Sequence, residues 1–334
     1  MSEGLLKSYR FREEREADWA KLDAILKRAT NRGARGLTDE EMLALPRLYR
    51  QAVSSLSVAR SISLDQNVIA YLESLCTRGY FFVYGTRTTV GERLAQFFRH
   101  DWPAAIRASV GPTLLAALCF FGGGAIAFFL CISDIEWFWT FNSPGIMDQR
   151  TPNASTEYLL STLYTENTSV QDMLGTFAAF LFSHNAQIAI LAFALGFAFG
   201  APTIILLVYN GFSIGAFYAL FWSRGLGYEI TGWLMIHGTT ELFAIVLAGA
   251  AGLKIGGAMA FPGRKSRLAS ARDEGNSAAL VAVGAMVMLF VAALLEGFGR
   301  QLINSDTMRY VIAGTMLITW LAYFYLPRRK RADP

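Results

Sequence analysis

The chain has 334 residues, 53% of them hydrophobic and 17% charged, with a formal net charge of +4. That is too apolar for an ordinary soluble protein of this length and fits a polytopic membrane protein. Cys76, Cys119 and Cys131 show no pairing or ligand spacing and read as small hydrophobes or inert thiols, which excludes a disulfide framework.

The first 15 residues are charged and carry no apolar core, so no cleavable signal is expected and the first apolar segment would direct insertion. Residues 1–100 read as a cytoplasmic helical domain. Thr38-Asp39-Glu40-Glu41 has capping-box spacing. Leu45, Leu48 and Ala52 follow at helical spacing, as do Leu64, Val68, Tyr71, Leu72 and Leu75. Phe97-Phe98-Arg99-His100-Asp101-Trp102-Pro103 mixes aromatic and basic residues, and predicts an elbow helix lying on the inner membrane surface at the end of that domain.

Residues 101–334 read as an all-α membrane bundle. A span needs about 20 apolar residues, and six segments qualify: 109–132, 180–200, 202–222, 231–253, 278–299 and 308–326. Only Ala201-Pro202 separates the second from the third, which predicts a tight helical hairpin. Placing both termini inside puts 26 of the 30 lysines and arginines on the cytoplasmic side and four outside. Trp137, Trp139, Trp222 and Trp233 then fall at outer ends and Trp102 and Trp320 near inner ones, as an aromatic belt requires. The outer loop, 133–179, is polar and acidic with Arg150 as its one basic residue. It offers a surface for an external partner or serves as a solvated connector. Asn153-Ala154-Ser155 and Asn167-Thr168-Ser169 match the glycosylation triplet.

Within the spans, ionisable groups are expensive and need a reason. His237 and Glu241 lie one helical turn apart in the fourth segment, on the face that also carries Ala244, Ala248, Ala251 and Gly252. Met235, Leu242, Val246 and Leu253 fall opposite and are expected to meet lipid. Asn210 reaches a similar depth, Glu296 lies near the outer end of the fifth span, and His184 and Asn185 lie on the second. These groups either line a polar crevice or lock helices together. Gly196 and Gly200, Gly211 and Gly215, and Gly252 and Gly256 form three GxxxG pairs that suit close helix packing within the bundle or between two copies. The chain has three histidines and no His-Glu-x-x-His run, so no catalytic residue, metal site or cofactor is expected.

His237-Gly238-x-x-Glu241-Leu242 and the run from Ala244 to Leu253 resemble the signature of the stage II sporulation protein M family. Asn185, Asn210-Gly211 and Leu295-Glu296-Gly297-Phe298 fit its other recurrent positions, and Leu45-Pro46-Arg47-Leu48-Tyr49-Arg50 and Tyr71-Leu72-Glu73-Ser74-Leu75 resemble the cytoplasmic helices of longer members. Ser183-His184-Asn185 departs from the paired asparagines common there. The resemblance implies a multi-pass protein of the bacterial plasma membrane. In spore formers the named member works as a scaffold in a complex with cell-wall hydrolases; most relatives occur in bacteria that never sporulate.

Three functions follow as expectations. The leading one is a membrane scaffold or assembly protein without chemistry of its own. Its partners would be the bilayer, other membrane or envelope proteins, cell-wall-remodelling enzymes, or a second copy of the chain, and not nucleic acid. The second is a transporter or permease component with a midplane polar crevice. An intramembrane hydrolase ranks third.

Overall fold

The structure is a computed structural model that describes residues 9, 11–32, 36–61, 65–84, 89–142, 149–164, 171–296 and 303–326, with the backbone alone for 31–32 and 171–181. All regular structure among these residues is helical. The chain divides into two compact units, Met1–Arg93 and Leu94–Pro334.

The first unit packs α1 (Glu16–Arg32), α2 (Asp39–Ser61) and α3 (Gln66–Val83) against one another. Its core is Trp19, Leu22, Ile25, Leu26, Leu45, Leu48, Ala52, Leu72 and Leu75, each within a few per cent of full burial. The helical spacing of Leu45, Leu48 and Ala52 therefore faces inward. Val68 is half-buried and Tyr71 is exposed, because the apolar stripe of α3 is narrower than its sequence suggests; Leu64 lies outside the described residues. At the start of α2 the Thr38 backbone N–H donates to Glu41 Oε2 (3.1 Å) and Glu41 N–H donates to Thr38 Oγ1 (3.3 Å). This reciprocal cap satisfies two amides that the first helical turn leaves without partners.

The second unit begins with α4 (Val90–Gln96), which straddles the boundary, a π-turn (Phe97–Asp101) and α5 (Trp102–Arg107). Then come α6 (Val110–Ser133), the short α7 (Phe138–Phe141), α8 (Thr156–Ser161), α9 (Gln171–Ala194), α10 (Ala201–Trp222), α11 (Gly227–Ala260), α12 (Arg267–Leu294) and α13 (Asp306–Tyr325). Among the described residues four of these, α6, α10, α11 and α12, are long and apolar enough to cross a membrane. At about 1.5 Å per residue a bilayer core takes about 20 residues, so the 34 residues of α11 extend well past the expected 231–253.

The hairpin between α9 and α10 turns on Phe199 and Gly200, at φ 63° and 79°. Pro202 sits in the first turn of α10, where its missing N–H costs nothing.

α11 is the hub. It packs against α6, α9, α10, α12 and α13. The expectation that Met235, Leu242, Val246 and Leu253 face lipid is thereby corrected: Leu242, Val246 and Leu253 are buried and Met235 is half-buried. A helix apolar around its whole circumference suits the centre of a bundle rather than its rim.

The elbow segment differs from expectation too. Trp102, Pro103, Ala105 and Ile106 are buried, and α5 packs against α12 and α13. The Trp102 ring stacks on Phe97 and meets Trp320, Tyr323 and Phe324 edge-on. Trp102 is a core residue rather than an interfacial belt residue, because Gly284 opens a notch in α12 that the indole fills. A Cβ built on Gly284 would lie 1.9 Å from Trp102 Nε1.

Candidate functional site

Glycines set how closely the helices of this unit approach. A Cβ on Gly252 would sit 2.2 Å from Ala192 O, and one on Gly196 would sit 2.2 Å from Gly252 O. Gly256 is in the same relation to Gly200, at 2.5 Å from its N. On the other side of the bundle, a Cβ on Gly211 would lie 2.0 Å from Phe120 O and one on Gly215 2.0 Å from Gly124 O. All six glycines of the three GxxxG pairs thus lie in backbone-to-backbone seams within one chain. The first seam joins α11 to the end of α9, and the second joins α6 to α10.

α11 also carries His237 and Glu241, one helical turn apart on one face. Glu296 arrives from a π-turn at 295–296 that follows α12. His237 Nε2 is 3.7 Å from Glu296 Oε1, with both side chains more than nine-tenths buried. One ligand-type atom each from His237, Glu241 and Glu296 lies within 4.8 Å of the others. The structure therefore gathers two carboxylates and an imidazole, where only the His237–Glu241 spacing was legible beforehand. The expectation of no metal-ligating set had counted histidines along one helix, and Glu296 comes from another.

Asn210 and Asn185 stand outside this group. Asn210 Nδ2 donates to Leu206 O on its own helix (2.8 Å). Asn185 is half-buried on α9, and no hydrogen bond joins it to the group among the described residues. His184 is exposed. Gly297 and Phe298 lie outside the described residues.

Three residues expected only as belt tryptophans or a loop charge pack near the group. Trp233 sets its ring nearly perpendicular to His237, with centroids 6.0 Å apart. The Arg150 guanidinium lies 5.1 Å from the Phe217 ring centroid and 5.8 Å from that of Trp233, within cation–π range. Trp320 Nε1 donates to Thr240 Oγ1 (3.1 Å), so α13 is hydrogen-bonded to α11 one residue from Glu241. An indole N–H buried in a bundle needs an acceptor, and that need is the one signal by which the sequence could have pointed Trp320 at a hydroxyl.

The loop after α6 is folded onto the bundle near this end of α11. Asn142 Nδ2 donates to Ser213 O (3.2 Å) and Arg224 Nη2 donates to Pro152 O (2.7 Å). Arg309, fully buried, donates through Nη2 to Leu163 O (2.8 Å), through Nε to Ile303 O (2.9 Å) and through Nη1 to Asp306 Oδ1 (3.1 Å). Tyr164 OH donates to Asp306 Oδ2 (2.7 Å); burial, then this bond to a carboxylate, push its phenol well above the usual range. In the first glycosylation triplet, Ser155 caps α8 by accepting from Tyr158 N–H (3.1 Å); Asn167 lies outside the described residues.

Apolar helices of membrane-crossing length, glycine seams between them and a His–carboxylate group within the bundle point to a helical membrane protein. The profile of the family "Stage II sporulation protein M" matches residues 116–299. That is more than half of the chain, and the chain belongs to that family. The matched stretch contains His237, Glu241, Glu296 and all six seam glycines. Residues 9–85 match a second profile, "Domain of unknown function (DUF8413)". Neither a curated protein nor a solved structure matches the chain.

Proposed function

We propose that the chain is a multi-pass protein of the bacterial plasma membrane that assembles other envelope proteins and performs no chemistry itself. It crosses the membrane six times, with both termini and the Met1–Arg93 unit in the cytoplasm. The observation that carries this reading is an aromatic patch at the end of α3. Tyr80, Phe81 and Tyr84 are 52, 67 and 62% exposed. Their rings nonetheless contact one another, with centroids 5.9 Å apart for Tyr80–Phe81 and 5.4 Å for Tyr80–Tyr84. Clustered exposed aromatics mark protein–protein contact surfaces. The positive-inside count of lysines and arginines supports the orientation.

The test is a photo-crosslinking residue at position 81 in cells, followed by purification in mild detergent. Discrete membrane or envelope partners, lost in a Phe81→Ser/Tyr84→Ser variant that still inserts, are expected; cell-wall-remodelling enzymes are the first class to seek. A chain that purifies alone under every condition sinks the reading. Reporter fusions near Arg267 and Arg150 should report inside and outside respectively, and reversed signals overturn the orientation. The His237–Glu241–Glu296 group, with His237 and Glu296 buried and Glu241 half-buried, favours a second reading, a transporter component, since transporters place ionisable groups at mid-membrane. Solute flux abolished by Glu241→Gln in an inserted, folded protein would move the assignment there.

A further inference from the structure

We propose that His237, Glu241 and Glu296 bind one divalent transition-metal ion of the zinc class, which ties the C-terminal end of α12 to the middle of α11. This inference is independent of the scaffold reading.

Spacing is the first argument. Ligand atoms around a tetrahedral zinc, at bond lengths of about 2.0–2.2 Å, lie about 3.3–3.6 Å from one another. His237 Nε2 and Glu296 Oε1 are already 3.7 Å apart. The whole set fits within 4.8 Å, so closing on an ion takes side-chain movements of about 1 Å, small beside a rotamer change. Positions 237 and 241 present their ligands from adjacent turns of one rigid helix. The third ligand comes from a π-turn, a local winding that recurs at functional sites because it redirects a side chain.

Charge is the second argument. Two carboxylates this close in a low-dielectric setting repel strongly. An imidazolium balances one of them; a divalent ion balances both and takes the neutral imidazole as a third ligand. The donor set then selects the metal: magnesium and calcium prefer all-oxygen shells, whereas an imidazole with two carboxylates suits zinc and its neighbours. Three protein ligands leave a fourth position for water. The Trp233 ring packs edge-to-face on His237 and fixes one side of the group.

The experiment uses the full chain in detergent, stripped with a chelator and then equilibrated with chelator-buffered Zn²⁺. One zinc per chain by elemental analysis is expected. Affinity should fall in both Glu296→Gln and His237→Gln by more than the roughly 10–100-fold that outer-sphere changes cost. Circular dichroism and a monodisperse elution peak establish that the variants remain folded. Co²⁺ loaded into the unmodified chain supplies a reading that needs no variant: visible bands of a nitrogen/oxygen site without thiolate charge transfer are expected. No stoichiometric zinc, zinc held equally by both variants, or a thiolate signature each overturn the proposal.

Discussion

In the Met1–Arg93 unit, helices meet through leucine and isoleucine side chains, and their outer faces carry ion pairs such as Arg60–Glu73 and Arg78–Asp23. In the Leu94–Pro334 unit the closest helix contacts are backbone against backbone at Gly196, Gly211, Gly215, Gly252 and Gly256, while Leu114, Leu118, Phe121 and Phe129 point outward from α6. The difference follows from solvent. In water, removing side-chain area from solvent is itself the driving force. Among lipid tails an exposed leucine costs nothing, so helices associate through close van der Waals approach, which small residues permit. The two units should therefore fail under different substitutions.

The largest effect belongs to the seams. Gly252→Leu places a branched side chain where even a Cβ would meet Ala192 O at 2.2 Å. Backbone cannot move aside as a side-chain tip can, so the loss should exceed the about 1–3 kcal/mol typical of overpacking. The expected result is aggregation in detergent with the first unit still folded, read by limited proteolysis that releases an intact fragment of about Met1–Arg93 size. Next is Leu72→Ala, at a fully buried position of the first unit. It should lower that unit's stability by about 2–5 kcal/mol in denaturant titration, without changing the bundle's elution. A bundle that dissolves with it would erase the distinction.

The smallest effect is a pH dependence confined to the first unit. Burial pushes the Asp23 carboxyl up, but the hydrogen bonds from Lys27 and Arg78 outweigh it and hold it below its ordinary value. A depressed carboxylate contributes stability above the ordinary carboxylate range and loses it as pH falls through the folded value. Thermal melts of the full chain should thus show the first unit's transition falling on acidification below about pH 4. Asp23→Asn should lower that transition at neutral pH and flatten its acid limb. Equal acid slopes in both proteins would remove Asp23 as the cause.

What could be read from sequence depended on how local the cause was. The cap at Thr38 and Glu41 is visible in four residues and forms as expected. The same reciprocal bonds join Thr89 and Glu92 at the head of the helical run that α4 opens, a cap with the same Thr-x-x-Glu spacing that went unread. Glycine spacing showed that close contacts would exist but not with which helix, since Gly211 fits equally well against any small-residue face. The burial of Leu242 and Val246 was misjudged because a large apolar face looks the same whether lipid or five helices surround it. Glu296 joins His237 only through the packing of α12 on α11, which no local pattern encodes. Arg309 is one of the four basic residues counted outside, at the start of the sixth span; its full burial depends on carbonyls of Leu163 and Ile303 that chain folding alone brings to it.

The seam between α6 and α10 also sets a schedule for synthesis. The helix that α6 grips most closely begins at Ala201 and ends at Trp222, so its partner is complete about 90 residues after α6 itself, or some 5–20 s at usual ribosomal speeds. Through that interval α6 must reside in the bilayer without its mate. It is suited to waiting: it has no charged residue between Val110 and Ser133, and only 28% of its most apolar stretch is buried even in the finished bundle. α11, by contrast, has 72% of its stretch buried and carries His237 and Glu241. It emerges after α6, α9 and α10 but before α12 and α13, so Glu296 and Trp320, which pack beside His237 and Thr240, reach it only when the last two helices are made.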